Sequence, residues 1–169
     1  IRKQYIDIIK ILLENGADPN ISNWLGTDPN ISIRLVLRRT NGNGYGTPLM
    51  LAIREQYIDI IKILLENDAD PNFIEQRKLK NDDTNTSFFS INLNQDKEKN
   101  ELILKLLLDS GGDPNILDSN NESVLHYFLV LFDVSSNYKL IKLLMEHITL
   151  ETLNSKRTND GNTPLHLLL

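Results

Sequence analysis

The chain contains three histidines, His126, His147 and His166, and no cysteine. Two of them end similar phrases, Ser-Val-Leu-His at 123–126 and Thr-Pro-Leu-His at 163–166. If these phrases lie at equivalent places on neighbouring helices, the two imidazoles are roughly 8–10 Å apart, one helix spacing. That separation is too large for a single metal ion, and no thiolate is available to complete a site. The sequence therefore predicts no metal site.

Carboxylates are frequent, but no set of them predicts catalysis. Asp59 and Glu66 flank Lys62 at helical spacing, which is typical of a solvent-exposed helix face. The glycine-rich segment at 41–46 lacks the lysine and serine that follow a phosphate-binding loop. A catalytic site needs several groups converging in one pocket. The sequence accordingly predicts no enzyme, no cofactor and no small-molecule substrate.

Two small basic clusters suggest binding instead. They consist of Arg34, Arg38 and Arg39, and of Arg77, Lys78 and Lys80. Binding of RNA or phosphate is one interpretation, but the chain carries a formal net charge of −5, and a nucleic-acid-binding domain usually has a basic face. The favoured interpretation is an edge that docks an acidic protein partner.

Trp24 is the only tryptophan, and it stands beside Leu25 in a polar segment. Such a residue either packs beneath neighbouring elements or serves as an exposed anchor for a partner. Tryptophan and arginine are both enriched at binding hot spots, so Trp24 and Leu25 are candidate contact residues.

No apolar run approaches the ~20 residues that span a membrane, and no charged-then-apolar signal opens the chain. These observations predict an intracellular, cytoplasmic protein without a membrane partner.

The elements that position these side chains are indicated by a duplication. Residues 1–20, IRKQYIDIIKILLENGADPN, match residues 53–72 at 18 of 20 positions. The closing Asp-Pro-Asn returns at 113–115, and a degraded copy ends at Asn154. A second marker, of Thr-Pro-Leu type, alternates with the first at 46–52, 86–91, 123–129 and 162–169.

Each marker predicts a helix with defined ends. Thr47 suits an N-cap, and Pro48 suits the first helical turn because its missing N–H is not needed there. Gly16 and Gly111 follow predicted helix ends, where a left-handed residue is expected, and Asp68 holds the equivalent place in the second copy.

Taken together, these markers resemble ankyrin repeats, turn-helix-helix units of ~33 residues with a Thr-Pro-Leu-His signature. The resemblance implies an all-α solenoid of stacked helix-turn-helix units with β-hairpin-like loops. It also implies a protein-protein interaction scaffold, with Tyr45, Arg54 and Glu55 at positions that line the concave groove. The signature histidines are then expected to form structural hydrogen bonds to neighbouring loops.

We predict one array over 1–169, a stretch of a longer protein. Its divisions are a partial repeat at 1–20, repeats at 21–72, 73–115 and 116–154, and a partial repeat at 155–169. Residues 1–4 are expected to end a first helix. Irregular arrays of this composition resemble those of large DNA viruses and intracellular microbes, so the cytoplasm of a host cell is one expected location.

The chain departs from the family pattern in several places. The Asp-Pro-Asn marks are 52 and 43 residues apart, which indicates loop insertions. Gln4 and Gln56 replace the glycine that ends the first helix, and Phe128 replaces an alanine, which predicts looser or shifted stacking there. Asn20, Asn72 and Asn115 resemble asparaginyl hydroxylation sites, although proline precedes each of them.

Two alternatives to the scaffold remain open. The array could be a non-catalytic regulatory or targeting segment of a larger multidomain enzyme, or a spacer without any partner beyond its own repeats.

Overall fold

The computed structural model describes residues 2–21, 46–76, 84–131 and 137–169 of the chain. Within these ranges the elements are, in order, α1 (Arg2–Glu14), α2 (Pro48–Arg54), α3 (Ile58–Glu66), β1 (Glu75–Gln76), β2 (Thr84–Asn85), a 3-10 helix (Ser87–Ser90), α4 (Lys97–Asp109), α5 (Val124–Leu131), α6 (Tyr138–Met145), α7 (Leu150–Leu153) and a final 3-10 helix (His166–Leu168). The predicted all-α solenoid class is confirmed.

Three helix pairs succeed one another in the described part of the chain. The first pair is α2 with α3, the second is the 3-10 helix Ser87–Ser90 with α4, and the third is α5 with α6. Each pair contacts the next through equivalent members. The first members pack against one another in what we call the first row, which consists of α2, the two 3-10 helices and α5. The second members pack in the second row, which consists of α1, α3, α4 and α6. This arrangement is a stack in which each unit covers its neighbour.

The first pair shows why the sequence forms these helices. The Thr47 hydroxyl accepts a hydrogen bond from the Met50 N–H, and Pro48 occupies the first turn, as predicted. In α3 the isoleucines and leucines are mostly buried, whereas Asp59, Lys62 and Glu66 are exposed. The predicted polar stripe is therefore confirmed.

The helix ends also follow the sequence. Gly16 and Gly111 have φ values of +86° and +80°, and Asp68 has φ +63° at the equivalent place. The left-handed residue lets the following N–H groups bond the last helical carbonyls, so that Ala17 N–H reaches Leu12 O at 3.0 Å.

The Asp-Pro-Asn asparagines bridge successive units. Asn20, Asn72 and Asn115 each donate from Nδ2 to a backbone carbonyl of the next unit and accept, through Oδ1, from a backbone N–H two residues beyond it. The carbonyls belong to Asp68, Gly111 and His147 at 2.9–3.0 Å, and the N–H groups to Asp70, Asp113 and Thr149 at 2.7–2.8 Å. Three equivalent side chains thus fix the spacing of the stack at its turns.

One loop contains the expected hairpin. Strands β1 and β2 pair antiparallel, with Glu75 opposite Asn85 and Gln76 opposite Thr84.

The N-terminal helix differs from expectation. Residues 1–4 were expected to end a first helix, but residues 2–4 belong to one helix that runs from Arg2 to Glu14. Gln56, the counterpart of Gln4, instead breaks the chain between α2 and α3 with φ +52°. A non-glycine residue avoids positive φ unless other contacts stabilise it, and the exposed Gln4 remains helical.

Candidate protein-interaction surface

Most of the sequence-predicted contact residues lie outside the part of the chain that the structure describes. This holds for Trp24, Leu25, Arg34, Arg38, Arg39 and Tyr45, and also for Arg77, Lys78 and Lys80. Arg54 and Glu55 are described. Arg54 is the last residue of α2 and Glu55 is its C-cap. Both residues are half-buried.

Two aromatic side chains of the first row come together beside α2. The rings of Phe89 and Tyr127 lie edge to face with centroids 5.7 Å apart, an attractive geometry for aromatic pairs. Phe128 packs behind Tyr127 with ring centroids 6.2 Å apart and is itself fully buried. The half-buried Phe89 and Tyr127 are therefore held from beneath by the core.

Arg54 belongs to the same surface. Arg54 is the last residue of α2, which packs against the 3-10 helix that carries Phe89. Burial raises the pKa of Tyr127, and the positive charge of Arg54 acts in the opposite direction. Arg54, Phe89 and Tyr127 come from three successive pairs. We call these residues, together with Glu55, the inner surface.

The inner surface has the chemical character of a binding site for protein. It combines rigid aromatic rings with an arginine, and aromatic residues and arginine are enriched where partners contribute most binding energy. Sequence analysis found Arg54 and Glu55 but missed Phe89 and Tyr127. The available signal was their position, because Phe89 replaces the signature histidine and Tyr127 directly follows His126.

The signature histidines hold their own helix starts. His126 is fully buried, and its Nδ1 accepts the Ser123 N–H at 3.1 Å. Burial lowers the pKa of His126 below 6.5, and this effect outweighs the opposing contribution of the Ser155 backbone. In the exposed His166, Nδ1 lies 2.7 Å from Thr163 Oγ1. These contacts lie within the unit of each histidine, and the implied hydrogen bonds to neighbouring loops stay a prediction.

No metal chemistry is indicated in the described ranges. They contain no group of three or more histidine, aspartate or glutamate side chains that could hold an ion. His147 is exposed just beyond α6; its backbone N–H donates to the Leu144 carbonyl, and its own carbonyl accepts from Asn115. Hydroxylation of Asn20, Asn72 and Asn115 stays a prediction.

The last two described turns are cross-linked by polar contacts. The Arg157 side chain contacts Glu122 at 3.5 Å and forms an ion pair with Asp160. Asn121 Nδ2 donates to the Lys156 carbonyl at 2.6 Å. The Arg157 hydrogen bond lowers the pKa of the exposed Asp160 to about 2. This end of the array presents an ordered polar rim beside the first row.

An open groove of about 370 Å³ lies between the N-terminal ends of α4 and α6. Its lining carries both signs of charge, including Lys97, Glu101 and Lys139, together with Tyr138. These groups balance one another and do not define a ligand. No helix in the described ranges is long and apolar enough to cross a membrane.

Comparison with known proteins agrees with this architecture. The family model described as "Ankyrin repeat" matches residues 1–24 and 46–75. An ankyrin repeat protein of Acanthamoeba polyphaga mimivirus is 32% identical over 140 residues, covering 73% of this chain and 17% of the relative. A second protein of that virus with the same description is 34% identical over 122 residues, covering 72% of this chain and 20% of the relative.

An ankyrin repeat protein of fowlpox virus is 27% identical over 168 residues, covering 99% of this chain and 41% of the relative. The chain thus spans less than half the length of these curated relatives. It belongs to the ankyrin-repeat family, whose members are generally non-catalytic modules that bind other proteins.

Proposed function

We propose that this chain is a non-catalytic scaffold that binds a protein partner through its inner surface. The observation that carries the proposal is the edge-to-face pair of Phe89 and Tyr127 in the first row, next to the helix that Arg54 ends. Each of the three is only partly buried, and each projects from an element whose other face belongs to the core.

Rigidity supports this function. The asparagine bridges and the continuous core hold the three side chains before a partner arrives. A partner that docks on a preformed surface loses less conformational entropy on binding, so a modest contact area supports useful affinity. The aromatic pair would supply the apolar centre of the interface, and Arg54, Glu55 and the polar turns its rim.

The inserted segment is proposed to extend this surface. Trp24 and Leu25 would add an apolar anchor, and Tyr45 would contribute to the same groove as Arg54. Arg34, Arg38 and Arg39 would favour an acidic partner. The proposal includes no binding of nucleic acid, small molecules or cofactors. We also propose an intracellular, cytoplasmic setting, in an infected host cell if the likeness to viral proteins extends to origin.

A second candidate function follows from the lengths of the relatives. Because the chain matches 17–41% of each, the array could serve as a regulatory or targeting segment of a larger protein. Such a segment would use the same surface, with an intramolecular partner or a delivery target in place of a free protein.

Affinity capture from eukaryotic lysate, with mass spectrometry, tests the scaffold. The intact chain is compared with a double variant of the inner surface, Arg54→Ala with Tyr127→Ala. The matched control removes one cation and one tyrosine from the second row, Lys105→Ala with Tyr138→Ala; both side chains are exposed. A third variant lacks residues 23–43, and circular dichroism verifies that all variants remain helical.

The proposal expects a reproducible partner that the control retains and the inner-surface variant loses. Loss only on deletion of 23–43 would place recognition in the insert. Retention of every partner by the inner-surface variant would contradict the proposal, and capture of nothing by the intact chain would favour the segment or spacer interpretation.

A further inference from the structure

The duplicated phrase adopts two backbone conformations around one glutamine. In the first copy Gln4 lies within α1 and is exposed. In the second copy Gln56 has φ +52° and its side chain is 7% exposed. The flanking residues are nearly the same, Arg-Lys-Gln-Tyr against Arg-Glu-Gln-Tyr, so local propensity does not explain the difference.

The contacts of Gln56 explain it. Gln56 Nε2 donates to the Asp96 carbonyl at 3.0 Å and to Asn100 Oδ1 at 2.8 Å. Asn100, 1% exposed, in turn donates from Nδ2 to the Asn92 carbonyl at 2.9 Å. A buried chain of amides therefore runs from the α2–α3 turn into the start of α4. Left-handed backbone is unfavourable for glutamine, and these bonds across the pair boundary compensate for it.

The partner segment is an irregular one. The first member of the second pair is a four-residue 3-10 helix, and the Asn92–Asp96 loop joins it to α4. Asn94 N–H bonds Asn92 Oδ1 and Gln95 N–H bonds the Asn92 carbonyl, so the loop is built around Asn92. Asn100 ties this loop to Gln56.

A second side-chain bridge joins the same two pairs. It is formed by Asn72, which bonds Gly111 and Asp113 beyond the C-terminal ends of α3 and α4. Gln56 and Asn100 lie at the N-terminal ends of the same two helices. Two bridges at opposite ends of an interface fix the angle between helices, whereas a single bridge fixes only a distance.

We propose that Gln56 and Asn100 form an inter-unit clasp that sets the angle between the first and second pairs. Through this angle, the clasp holds Arg54 of α2 in place relative to Phe89. Gln56 is thus a positioning residue, and the inference does not depend on which partner the inner surface binds.

Hydrogen exchange tests the clasp in the full chain. Gln56→Gly removes the side chain and also the cost of positive φ, so the variant is expected to fold. Amide exchange at Asn100 and Glu101 should become roughly tenfold faster, the effect of losing a well-buried hydrogen bond. Exchange in α6 should not change. Gln4→Gly, the same substitution in the duplicated phrase, is the matched control and should leave α4 unchanged.

A distance measurement tests the angle. The chain has no cysteine, so spin labels can be placed by Asp59→Cys in α3 and Lys105→Cys in α4, both exposed. Double electron-electron resonance should show a broader or shifted distance distribution in Gln56→Gly. Asn100→Ala should behave alike, and combining the two should add no further broadening.

If Gln56→Gly keeps the amide exchange rates and the spin-label distances of the wild type, the proposed clasp is overturned. Exchange that accelerates equally in α4 and α6 would also overturn it, because that result reports general destabilisation of the array.

Discussion

Helices α1 and α3 share nearly the same sequence and bury it differently. Ile8 and Ile11 of α1 are 48% and 56% exposed, whereas their counterparts Ile60 and Ile63 are 9% and 7% exposed. Ile9 and its counterpart Ile61 are both fully buried. The shared pattern therefore selects the helix, and the neighbouring elements determine how much of its apolar surface contributes to stability.

The largest expected effect comes from truncating matched isoleucines. Ile63→Ala should lower the free energy of unfolding by about 2–4 kcal/mol, because it leaves a cavity in the core. Ile11→Ala, at the equivalent exposed place, should change it by less than about 1 kcal/mol. Urea denaturation of the two variants measures the difference. Equal costs would show that the folded chain covers α1 as completely as α3.

A second comparison concerns the residue after each left-handed turn position. Ala69 stands there in the first pair, and Gly112 in the second. A Cβ on Gly112 would lie 2.8 Å from the Phe88 ring and 2.7 Å from the Leu107 carbonyl. Gly112→Ala should therefore cost about 1–3 kcal/mol of stability.

The first pair suggests a compensating substitution for Gly112→Ala, because Leu49 occupies the position there that Phe88 occupies in the second pair. Phe88→Leu should recover part of the loss in the Gly112→Ala background, although Phe88→Leu alone destabilises. Thermal unfolding of the four chains decides the point. Additive losses would mean that ring size and the glycine are unrelated.

The signature histidine gives a pH-dependent comparison. The pKa of His126 is lowered by burial, so the folded state resists protonation and the unfolded state does not. Stability contributed by neutral His126 is complete above the unfolded pKa of about 6.5 and is lost as pH falls below it.

Met50 occupies the equivalent position in the first pair. His126→Met therefore tests the contribution of His126 with a residue that this chain already uses at that position. Urea unfolding at pH 7.5 and 5.5 should show a smaller pH effect in His126→Met than in the wild type. His166→Met, at an exposed site, should keep the wild-type dependence. If the free energy of unfolding changes with pH as much in His126→Met as in the wild type, the contribution assigned to His126 is contradicted.

The smallest expected effect separates the two copies at their turns. Asp68 adopts φ +63° where the first copy has Gly16 at φ +86°. Asp68→Gly should stabilise the array by about 0.5–1 kcal/mol, and Gly16→Asp should destabilise it by a similar amount. Chemical denaturation measures both, and a destabilised Asp68→Gly would show that the Asp68 side chain has a role that its exposure does not suggest.

Local features of the fold could be predicted from the sequence. The Thr47 cap, the polar stripe of α3 and the left-handed positions depend on residues close together in the chain, and each was found where the pattern placed it. The single helix α1 was not predicted, because the turn at Gln56 depends on Asp96 and Asn100, about forty residues away.

The candidate site was less predictable for the same reason. Arg54 could be found from its place in a repeat, but its meeting with Phe89 and Tyr127 depends on how three pairs stack. Phe128 is fully buried behind Tyr127. The looser or shifted stacking expected around it stays a prediction. The pattern of one repeat contains no information about a surface assembled from several.

The most direct test of the proposed function is the affinity of a captured partner for Tyr127→Ala and Tyr138→Ala, measured by calorimetry. Both remove a tyrosine, one from the inner surface and one that is 63% exposed on the second row. The inner surface predicts a dissociation constant roughly 30-fold weaker for Tyr127→Ala, the ~2 kcal/mol of a hot spot, and little change for Tyr138→Ala. Equal affinities, or a larger loss with Tyr138→Ala, would contradict it.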